Sequence, residues 1–337
     1  MRCRLIHTAA VLGFAVAVAI PIVACAARGG VAHSEPVVDT KPAPAPEKPL
    51  LRASDLKRLE EAPPPDARVP YGDSPLQFGE LRLPPNGKKP YPVAIFVHGG
   101  CWLAEYDIAH TRALAEAFAQ AGIAVWAIEY RRVGDEGGGW PGTFLDIARG
   151  ADHLREVART YPLDLSRVIA VGHSAGGQFV LWLAARERLP AGSELRGALP
   201  EGGEPIHLRG VLGLAAAGDL AYLHEQKVCG HVIDKLMGGG PDAVPERYAA
   251  GSPAQLVPVD VPQILLNGVH DSNWTPVAER YIEAARAAGA SKLRVVEAPE
   301  SGHFEMIDPT SSTWPLVLEA ARDLLDWGIT PRAETGR

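Results

Sequence analysis

The sequence predicts an α/β fold in which a mostly parallel sheet is covered by helices on both faces. Short apolar runs typical of strands alternate with helical stretches along most of the chain, and this alternation indicates parallel strands joined by helices. The composition agrees, because 337 residues with 47% hydrophobic and 22% charged residues are typical of a globular protein and suit one large domain.

The individual elements follow from local patterns. Strands are expected at Gln77 to Leu83, Pro92 to Val97, Ile123 to Tyr130, Val168 to Val171, Val211 to Ala215, Ile264 to Asn267 and Leu293 to Glu297. Helices are expected at Thr111 to Ala121, Thr143 to Thr160 and Ala175 to Glu187. Residues 219–259 form a long irregular insertion between two strands. This insertion is predicted to act as a short cap over a functional site.

The first 24 residues resemble a signal peptide. Arg2 and Arg4 give a positively charged start, and the uncharged run from Ala9 to Ala24 has signal-peptide rather than membrane-spanning length. The run ends in a sequence similar to a bacterial lipobox, so Cys25 is expected to be lipidated and to become the mature N-terminus. Ordinary cleavage next to Cys25 and an uncleaved anchor helix are the alternatives.

This leader predicts an exported lipoprotein that is anchored to a membrane and faces the periplasm or the cell exterior. A soluble periplasmic or secreted protein is the alternative. Residues 25–67 are rich in proline and alanine and are expected to form a disordered tether, with a helical pattern only at Ala53 to Glu61. The α/β domain is expected at 68–329, followed by a tail at 330–337.

Charge and cysteine content exclude several classes of protein. The net charge of −7 gives no basic surface for phosphates, so nucleic acid is not an expected partner. Four cysteines are too few for a small disulfide-stabilised domain, so the core must stabilise itself by burial. No metal is expected either, because the spacing of His224, Cys229 and His231 matches no common zinc site.

The strongest motif is Gly172-His-Ser174-Ala-Gly176. It lies between an apolar strand and a helix, as the tight turn around a nucleophilic serine requires. Glycines permit the turn that exposes the serine, and the helix N-terminus starting at Ala175 favours developing negative charge. Ser174 is therefore predicted to be a nucleophile.

A serine nucleophile needs a base and a group that orients the base. His303 fits the base, because it follows the last predicted strand by a short loop and Gly302 precedes it. Asp271 fits the acid, because it follows the strand that starts at Ile264. Asp219, which follows an earlier strand, is the rival acid.

The reaction also needs donors for an oxyanion. The sequence His98-Gly-Gly-Cys-Trp102 follows a strand, so amides near Gly100 and Cys101 are expected to join that of Ala175. His98 is expected to hold the loop through its ring.

Together these motifs resemble the α/β-hydrolase esterase/lipase superfamily, near its kynurenine formamidase-like and feruloyl-esterase-like branch. The resemblance covers roughly residues 68–327 and implies the α/β-hydrolase fold, the chain order serine, acid, histidine and hydrolysis without a cofactor. Cys101 stands where a third glycine is usual, which leaves open which amides of residues 99–101 point inward.

The expected reaction is cleavage of a small to medium carboxylic ester through an acyl-enzyme intermediate. N-formyl amide hydrolysis is the alternative, followed by peptide hydrolysis and by a hydrolase-like protein that binds without catalysis. The partner is a small-molecule ester or amide, with membrane contact only through the lipid.

Three loop tryptophans and two cysteines each allow two interpretations. Trp102, Trp140 and Trp274 follow strands and either line a substrate pocket or pack in the core. Cys101 and Cys229 either form a disulfide between the insertion and the glycine loop or remain two buried thiols.

Overall fold

A computed structural model describes residues 45–200 and 204–328. The predicted signal peptide, the lipidation site Cys25, most of the tether and the C-terminal tail lie outside these residues. All described residues belong to one compact unit. No helix within them combines the length and apolar character needed to cross a membrane.

Within the described residues, eight strands form one sheet in the order β1-β2-β4-β3-β5-β6-β7-β8. The strands β1 and β2 pair antiparallel, β2 and β4 also pair antiparallel, and all other neighbours are parallel. The strands are β1 Ala67–Pro70, β2 Phe78–Arg82, β3 Tyr91–Val97, β4 Ala124–Ile128, β5 Leu163–His173, β6 Gly210–Leu214, β7 Gln263–Gly268 and β8 Leu293–Ala298.

Helices connect the parallel strands and cover both faces of the sheet. The described α-helices are α1 Arg112–Gln120, α2 Gly142–Asp152, α3 Leu154–Thr160, α4 Ala175–Ala184, α5 Leu220–Glu225, α6 Val232–Met237, α7 Pro245–Gly251, α8 Thr275–Ala287 and α9 Trp314–Leu325. The mostly parallel sheet between helices is the predicted fold class, which is confirmed.

The core consists of two apolar layers, one on each face of the sheet. In β3, Ile95 packs with one layer and Phe96 with the other, and both are fully buried. The first layer receives Phe179 of α4, and the second receives Phe118 of α1. Since both faces of the central strands are covered, their apolar runs are continuous rather than alternating.

The structure differs from the sequence prediction at several elements. The predicted helix over Thr143 to Thr160 is divided at His153 into α2 and α3. Strand β1 was not expected, because it lies at the sheet edge and none of its residues is fully buried, which leaves no apolar pattern. The insertion forms three short helices, α5 to α7, followed by a 3₁₀ turn.

The C-terminal part of the predicted tether packs on the domain. Ala53–Glu60 form a 3₁₀ helix in which Leu56 and Leu59 are buried against the second core layer. The amide of Leu51 donates to the carboxylate of Glu305, in the loop after β8. The proline-rich composition of this segment predicted disorder. Two buried leucines are enough to pack the segment on the domain.

Candidate active site

The carboxyl ends of four parallel strands bring the predicted site residues to one edge of the sheet. The glycine loop follows β3, Ser174 follows β5, Asp271 follows β7 and His303 follows β8. Strands β3 and β5 are neighbours, as are β7 and β8, and β6 lies between the two pairs. Sheet order therefore places side chains from distant parts of the chain along one short edge.

Ser174 lies in a tight turn between β5 and α4 that requires glycine on both sides. Its backbone has φ 56° and ψ −119°, a conformation that non-glycine residues rarely adopt. A Cβ on Gly172 would lie 2.3 Å from the carbonyl oxygen of Gly176, and a Cβ on Gly176 would lie 2.1 Å from that of Val97. Larger residues are excluded at both positions, and the turn holds Ser174 at the N-terminus of α4.

Asp271 and His303 are directly hydrogen-bonded. Nδ1 of His303 lies 2.6 Å from Oδ2 of Asp271. The loops that carry them are joined as well, because the amide of His270 donates to the carbonyl of Ser301 at 3.0 Å. A carboxylate can only accept, so Nδ1 of His303 carries the proton and Nε2 remains free to accept one.

The His303 ring lies between aromatic neighbours. Trp274 stacks on it with 4.7 Å between ring centroids and 22° between planes, and the His173 ring lies 4.7 Å away. Nε2 of His173 donates to the carbonyl oxygen of His303 at 2.9 Å. Burial, together with the neighbouring charge of His303, holds the pKa of His173 well below its usual range, so His173 stays neutral.

The contacts that link the Ser174 turn to His303 come from the residue before Ser174. Within the described residues no hydrogen bond joins the side chains of Ser174 and His303, whereas the residue before Ser174 contacts His303 through both its ring and its Nε2. In enzymes without a bound substrate the contact between nucleophile and base is often long and shortens in the complex.

The loop after β3 presents backbone amides without acceptors. The amides of Gly99, Gly100 and Cys101 donate to no acceptor within residues 45–200 and 204–328. The amide of Ala175 is the first of α4 and so lacks an acceptor in the helix. A Cβ on Gly99 would lie 3.1 Å from the Cβ of Ser174, so the loop passes directly against the serine.

The ring of His98 contacts this loop, and two residues that the sequence analysis missed, Glu129 and Tyr130, contact His98 in turn. His98 is fully buried, with its Nε2 3.1 Å from Oε1 of Glu129 and its Nδ1 2.8 Å from the carbonyl oxygen of Gly99. The Tyr130 hydroxyl donates to the carbonyl oxygen of His98 at 2.9 Å. A signal was available, because Glu129 and Tyr130 directly follow β4, and β4 is the neighbour of β3.

A disulfide joins the glycine loop to the insertion. Cys101 and Cys229 are bonded, with 5.9 Å between their Cα atoms, and Cys229 lies between α5 and α6. The sequence left this pairing open. Cys229 and Trp274 also line a cavity of about 450 Å³. Because Trp274 stacks on His303, this cavity lies between His303 and the insertion.

The three candidate pocket tryptophans have different surroundings. Trp102 is fully buried and its Nε1 donates to Gln178 at 3.1 Å, so its assignment to a substrate pocket is corrected to the core. Trp140 packs on Phe144 and donates to Glu194, and it lines neither cavity described in this article. Of the three tryptophans, only Trp274 both contacts His303 and lines one of these cavities.

The rival acid and the rejected zinc ligands have other contacts. Asp219 caps α5, where it accepts the amides of Ala221 and Tyr222 at 3.0 and 3.1 Å. His224 and His231 both face Asp234, at 2.7 and 3.5 Å. Within the part of the chain that the structure describes, no group of three or more histidine, cysteine or acidic side chains is arranged to hold a metal.

Comparisons with known proteins were made against family models, curated proteins and solved structures. The BD-FAE family model matches residues 80–279, which is more than half of the chain. Esterase LipC of Mycobacterium tuberculosis is 27% identical over 295 residues, which cover 85% of this chain and 70% of that protein. A probable isoprenylcysteine alpha-carbonyl methylesterase of Oryza sativa subsp. japonica is 27% identical, and the match covers 72% of this chain and 59% of that protein.

Solved structures of esterases share the fold. Esterase B from Lactobacillus rhamnosis superposes with a TM-score of 0.67 at 20% identity, covering 81% of this chain and 91% of that one. A truncated carbohydrate esterase from gut microbiota gives a TM-score of 0.66 at 21% identity, covering 77% and 95%. The extent of the family match and the shared sheet lead to one conclusion: this chain belongs to the BD-FAE family of α/β-hydrolase esterases.

Proposed function

We propose that this protein cleaves a small to medium carboxylic ester through an acyl-enzyme formed on Ser174, with His303 as base and Asp271 as the residue that orients it. The observation that carries the proposal is the bond of 2.6 Å between Asp271 and His303 at the sheet edge that also holds Ser174. Asp219, the rival acid, is occupied as a helix cap. The triad is therefore assigned to Ser174, Asp271 and His303.

In the first step, the Ser174 hydroxyl attacks the ester carbonyl and Nε2 of His303 takes its proton. Asp271 keeps the proton of the free base on Nδ1, which leaves the Nε2 lone pair available, and its carboxylate stabilises the imidazolium that forms. The negative charge on the carbonyl oxygen is met by the free amides of Gly100, Cys101 and Ala175. His303 then gives its proton to the leaving alcohol, and the acyl group stays on Ser174.

In the second step, His303 takes a proton from the water that attacks the acyl-enzyme, and it gives this proton to the Ser174 oxygen as the bond to the acyl group breaks and the acid is released. The cavity of about 450 Å³ beside Trp274 supports a substrate of modest size. Its lining mixes Trp274 and Val228 with polar groups such as Asn273, so it suits an ester with both an apolar and a polar part.

The nucleophile is tested by Ser174→Ala in the purified protein. Hydrolysis of a short-chain nitrophenyl ester should fall by about 10⁴-fold or more, as expected for loss of a triad member. A fluorophosphonate probe should label the wild-type protein at Ser174 and leave the variant unlabelled. Ser291→Ala, an exposed serine at the other edge of the sheet, is the control and should keep full activity. Wild-type rates in Ser174→Ala would refute the proposal.

The substrate class is tested by an ester series of increasing acyl length, together with N-formylkynurenine and an aminoacyl anilide. The highest kcat/KM is expected for a short or medium ester. A maximum at long acyl chains would contradict the modest cavity. Faster cleavage of the formyl amide or the anilide would replace the ester assignment with amide hydrolysis.

We also propose that the protein is exported and lipidated at Cys25. The leader pattern carries this proposal, and the Cys101–Cys229 disulfide supports it because disulfides persist mainly in oxidising compartments. Metabolic labelling with an alkyne fatty acid should mark the wild-type chain. Cys25→Ala should abolish both the label and membrane fractionation, whereas Cys3→Ala, within the leader, should change neither. A labelled Cys25→Ala protein would overturn the assignment.

A further inference from the structure

Both ring nitrogens of His98 face groups that can only accept hydrogen bonds. Nδ1 lies 2.8 Å from the carbonyl oxygen of Gly99, and Nε2 lies 3.1 Å from Oε1 of Glu129. A carbonyl oxygen never donates, and a carboxylate donates only when it is protonated. The protonation state of Glu129 therefore decides whether His98 carries one proton or two.

The contacts of Glu129 show that it is ionised. Oε2 accepts the amide of Ile108 at 2.9 Å, and Oε1 accepts that of Tyr130 at 3.0 Å. The Arg132 guanidinium lies 3.1 Å from Oε1. Burial raises the pKa of Glu129, whereas the Arg132 charge and the hydrogen bond from the Ile108 amide lower it without any contribution from His98. Nε2 of His98 must therefore donate, and so must Nδ1.

The charged groups around His98 can balance the positive charge that a second ring proton brings. The residues after β4 contribute Glu129 and Arg132, and Arg132 pairs in turn with Asp135 at 3.0 Å. The Tyr130 ring stacks on His98 at 4.4 Å, and burial raises the pKa of its hydroxyl, so it stays neutral. From the 3₁₀ helix before α1, His110 lies edge-on to His98 at 5.7 Å.

His110 is the one other imidazole in contact with His98 among the described residues, and it stays uncharged. Burial and the charge of His98 lower its pKa to about 4. With His98 protonated, the cluster holds two cations, His98 and Arg132, and two anions, Glu129 and Asp135. The buried site is then neutral as a whole, which is the condition under which charges persist away from water.

We propose that His98, whose two ring nitrogens both donate to acceptors, aims and polarises the Gly100 amide of the oxyanion hole. The peptide between Gly99 and Gly100 is trans, so its C=O and N–H point in opposite directions. With the Gly99 carbonyl bound to His98, the Gly100 N–H points away from the ring and remains without an acceptor in the described chain.

A charged His98 that donates to the Gly99 carbonyl also makes the Gly100 N–H of the same peptide group a stronger hydrogen-bond donor. Charge-assisted hydrogen bonds are stronger than neutral ones, and hydrogen bonds in series polarise each other. The Gly100 N–H is therefore a better partner for a developing oxyanion than an isolated amide. This role rests on the proposed function, whereas the protonation state of His98 does not.

The protonation state is tested by NMR on the full chain labelled with ¹⁵N-histidine. His98→Asn assigns the His98 signals. At pH 7 both nitrogens of His98 should show the chemical shift and attached hydrogen of a protonated ring, and His110 should show a neutral ring with one hydrogen. A His98 ring with one hydrogen at pH 7 would overturn the proposal.

The effect on catalysis is tested by comparing two variants. His98→Asn can keep a neutral donor near the position of Nδ1, and kcat should fall roughly 10-fold with little change in KM. His98→Ala removes the donor and should lose about 10²-fold or more, as when an oxyanion donor loses its support. The exposed His207→Asn is the control and should match the wild type. Equal kcat in His98→Asn and the wild type would overturn the polarising role of the charge, and equal kcat in His98→Ala and the wild type would overturn the positioning role.

The two proposals fail in different ways. If Ser174→Ala remained active, the oxyanion hole would have no reaction to serve, yet the NMR spectrum would still report the charge on His98. If Ser174→Ala were inactive and His98 carried one hydrogen, the esterase mechanism would stand and only the inference on His98 would be lost.

Discussion

The two edges of the sheet each carry a cavity, and the smaller cavity lies at the edge that carries the candidate site residues. The carboxyl edge has about 450 Å³ beside Trp274, whereas the amino edge has about 850 Å³ bounded by residues that precede β6, β7 and β8, such as Arg209, Pro262 and Lys292. Cavity volume alone would select the amino edge, where none of the candidate catalytic residues lies.

The difference lies in which polar groups have partners. At the amino edge Lys292 pairs with Asp260 at 3.2 Å, and Arg209 donates to the carbonyl of Trp327 at 2.7 Å. At the carboxyl edge the amides of Gly100 and Cys101 have no acceptor within the described chain. The pairing of Lys292 with Asp260 fits a structural role, whereas unpaired amides beside a serine provide a place for a developing charge.

The largest expected effect compares one carboxylate from each edge. Asp271→Asn should lower kcat by about 10⁴-fold, because the amide NH2 can donate to Nδ1 of His303 and favour the tautomer protonated on Nε2, and a neutral amide no longer stabilises the imidazolium. Asp260→Asn at the amino edge should leave kcat unchanged, since Asp260 is exposed and its ion pair is screened by water. Steady-state ester hydrolysis measures both. A comparable loss in Asp260→Asn would remove the distinction between the edges.

The next effect concerns stability in acid. The pKa of His110 is lowered to about 4 by burial, so the unfolded chain binds this proton from about pH 6.5 downward and the folded chain only near pH 4. The free energy of unfolding should therefore be fully retained above pH 6.5. It should fall by about 3 kcal/mol from this residue between pH 6.5 and 4.

Urea unfolding across that range tests the stability effect. His110→Gln should flatten the slope in part, because the buried His173 acts in the same direction. His207→Gln, exposed at the amino edge, should leave the slope as it is. An unchanged slope in His110→Gln would show that His110 does not stay neutral in the folded protein.

The pH profile of catalysis is the third test. The proposed mechanism uses one neutral base, so kcat/KM should drop at most tenfold per pH unit on the acidic side. The slope should correspond to one proton, because the pKa of His173 lies well below the usual range and His110 titrates only at about 4. Rates measured from pH 8 to 5 decide this. A slope of two would indicate a second titrating group at the carboxyl edge.

The smallest effect compares two tryptophans. Trp274→Ala should lower kcat/KM about tenfold, because the stack that holds the His303 ring is lost and a small misplacement of the base slows the reaction. Trp274→Phe should recover most of the rate. Trp327→Ala, in the larger cavity at the amino edge, should change kcat/KM little. Equal losses in both alanine variants would mean that the stack does not position the base.

The sequence by itself determined the fold class and the family, since both depend on local signals. Apolar runs mark the strands, and the glycines around Ser174 mark the turn. The order of strands and loops in the chain then sufficed to predict Asp271 and His303 as partners. Their proximity is a structural finding, and their catalytic roles remain predictions.

Only the tertiary structure decided the features that depend on contacts between distant segments. It buried Trp102 in the core, joined Cys101 to Cys229 and packed Leu56 and Leu59 of the predicted tether on the domain. It also brought Glu129 into hydrogen-bond contact with His98, although the two residues follow different strands. The physical reason is the same in each case: a side chain's partner is set by which strands become neighbours, and that order is a property of the whole sheet.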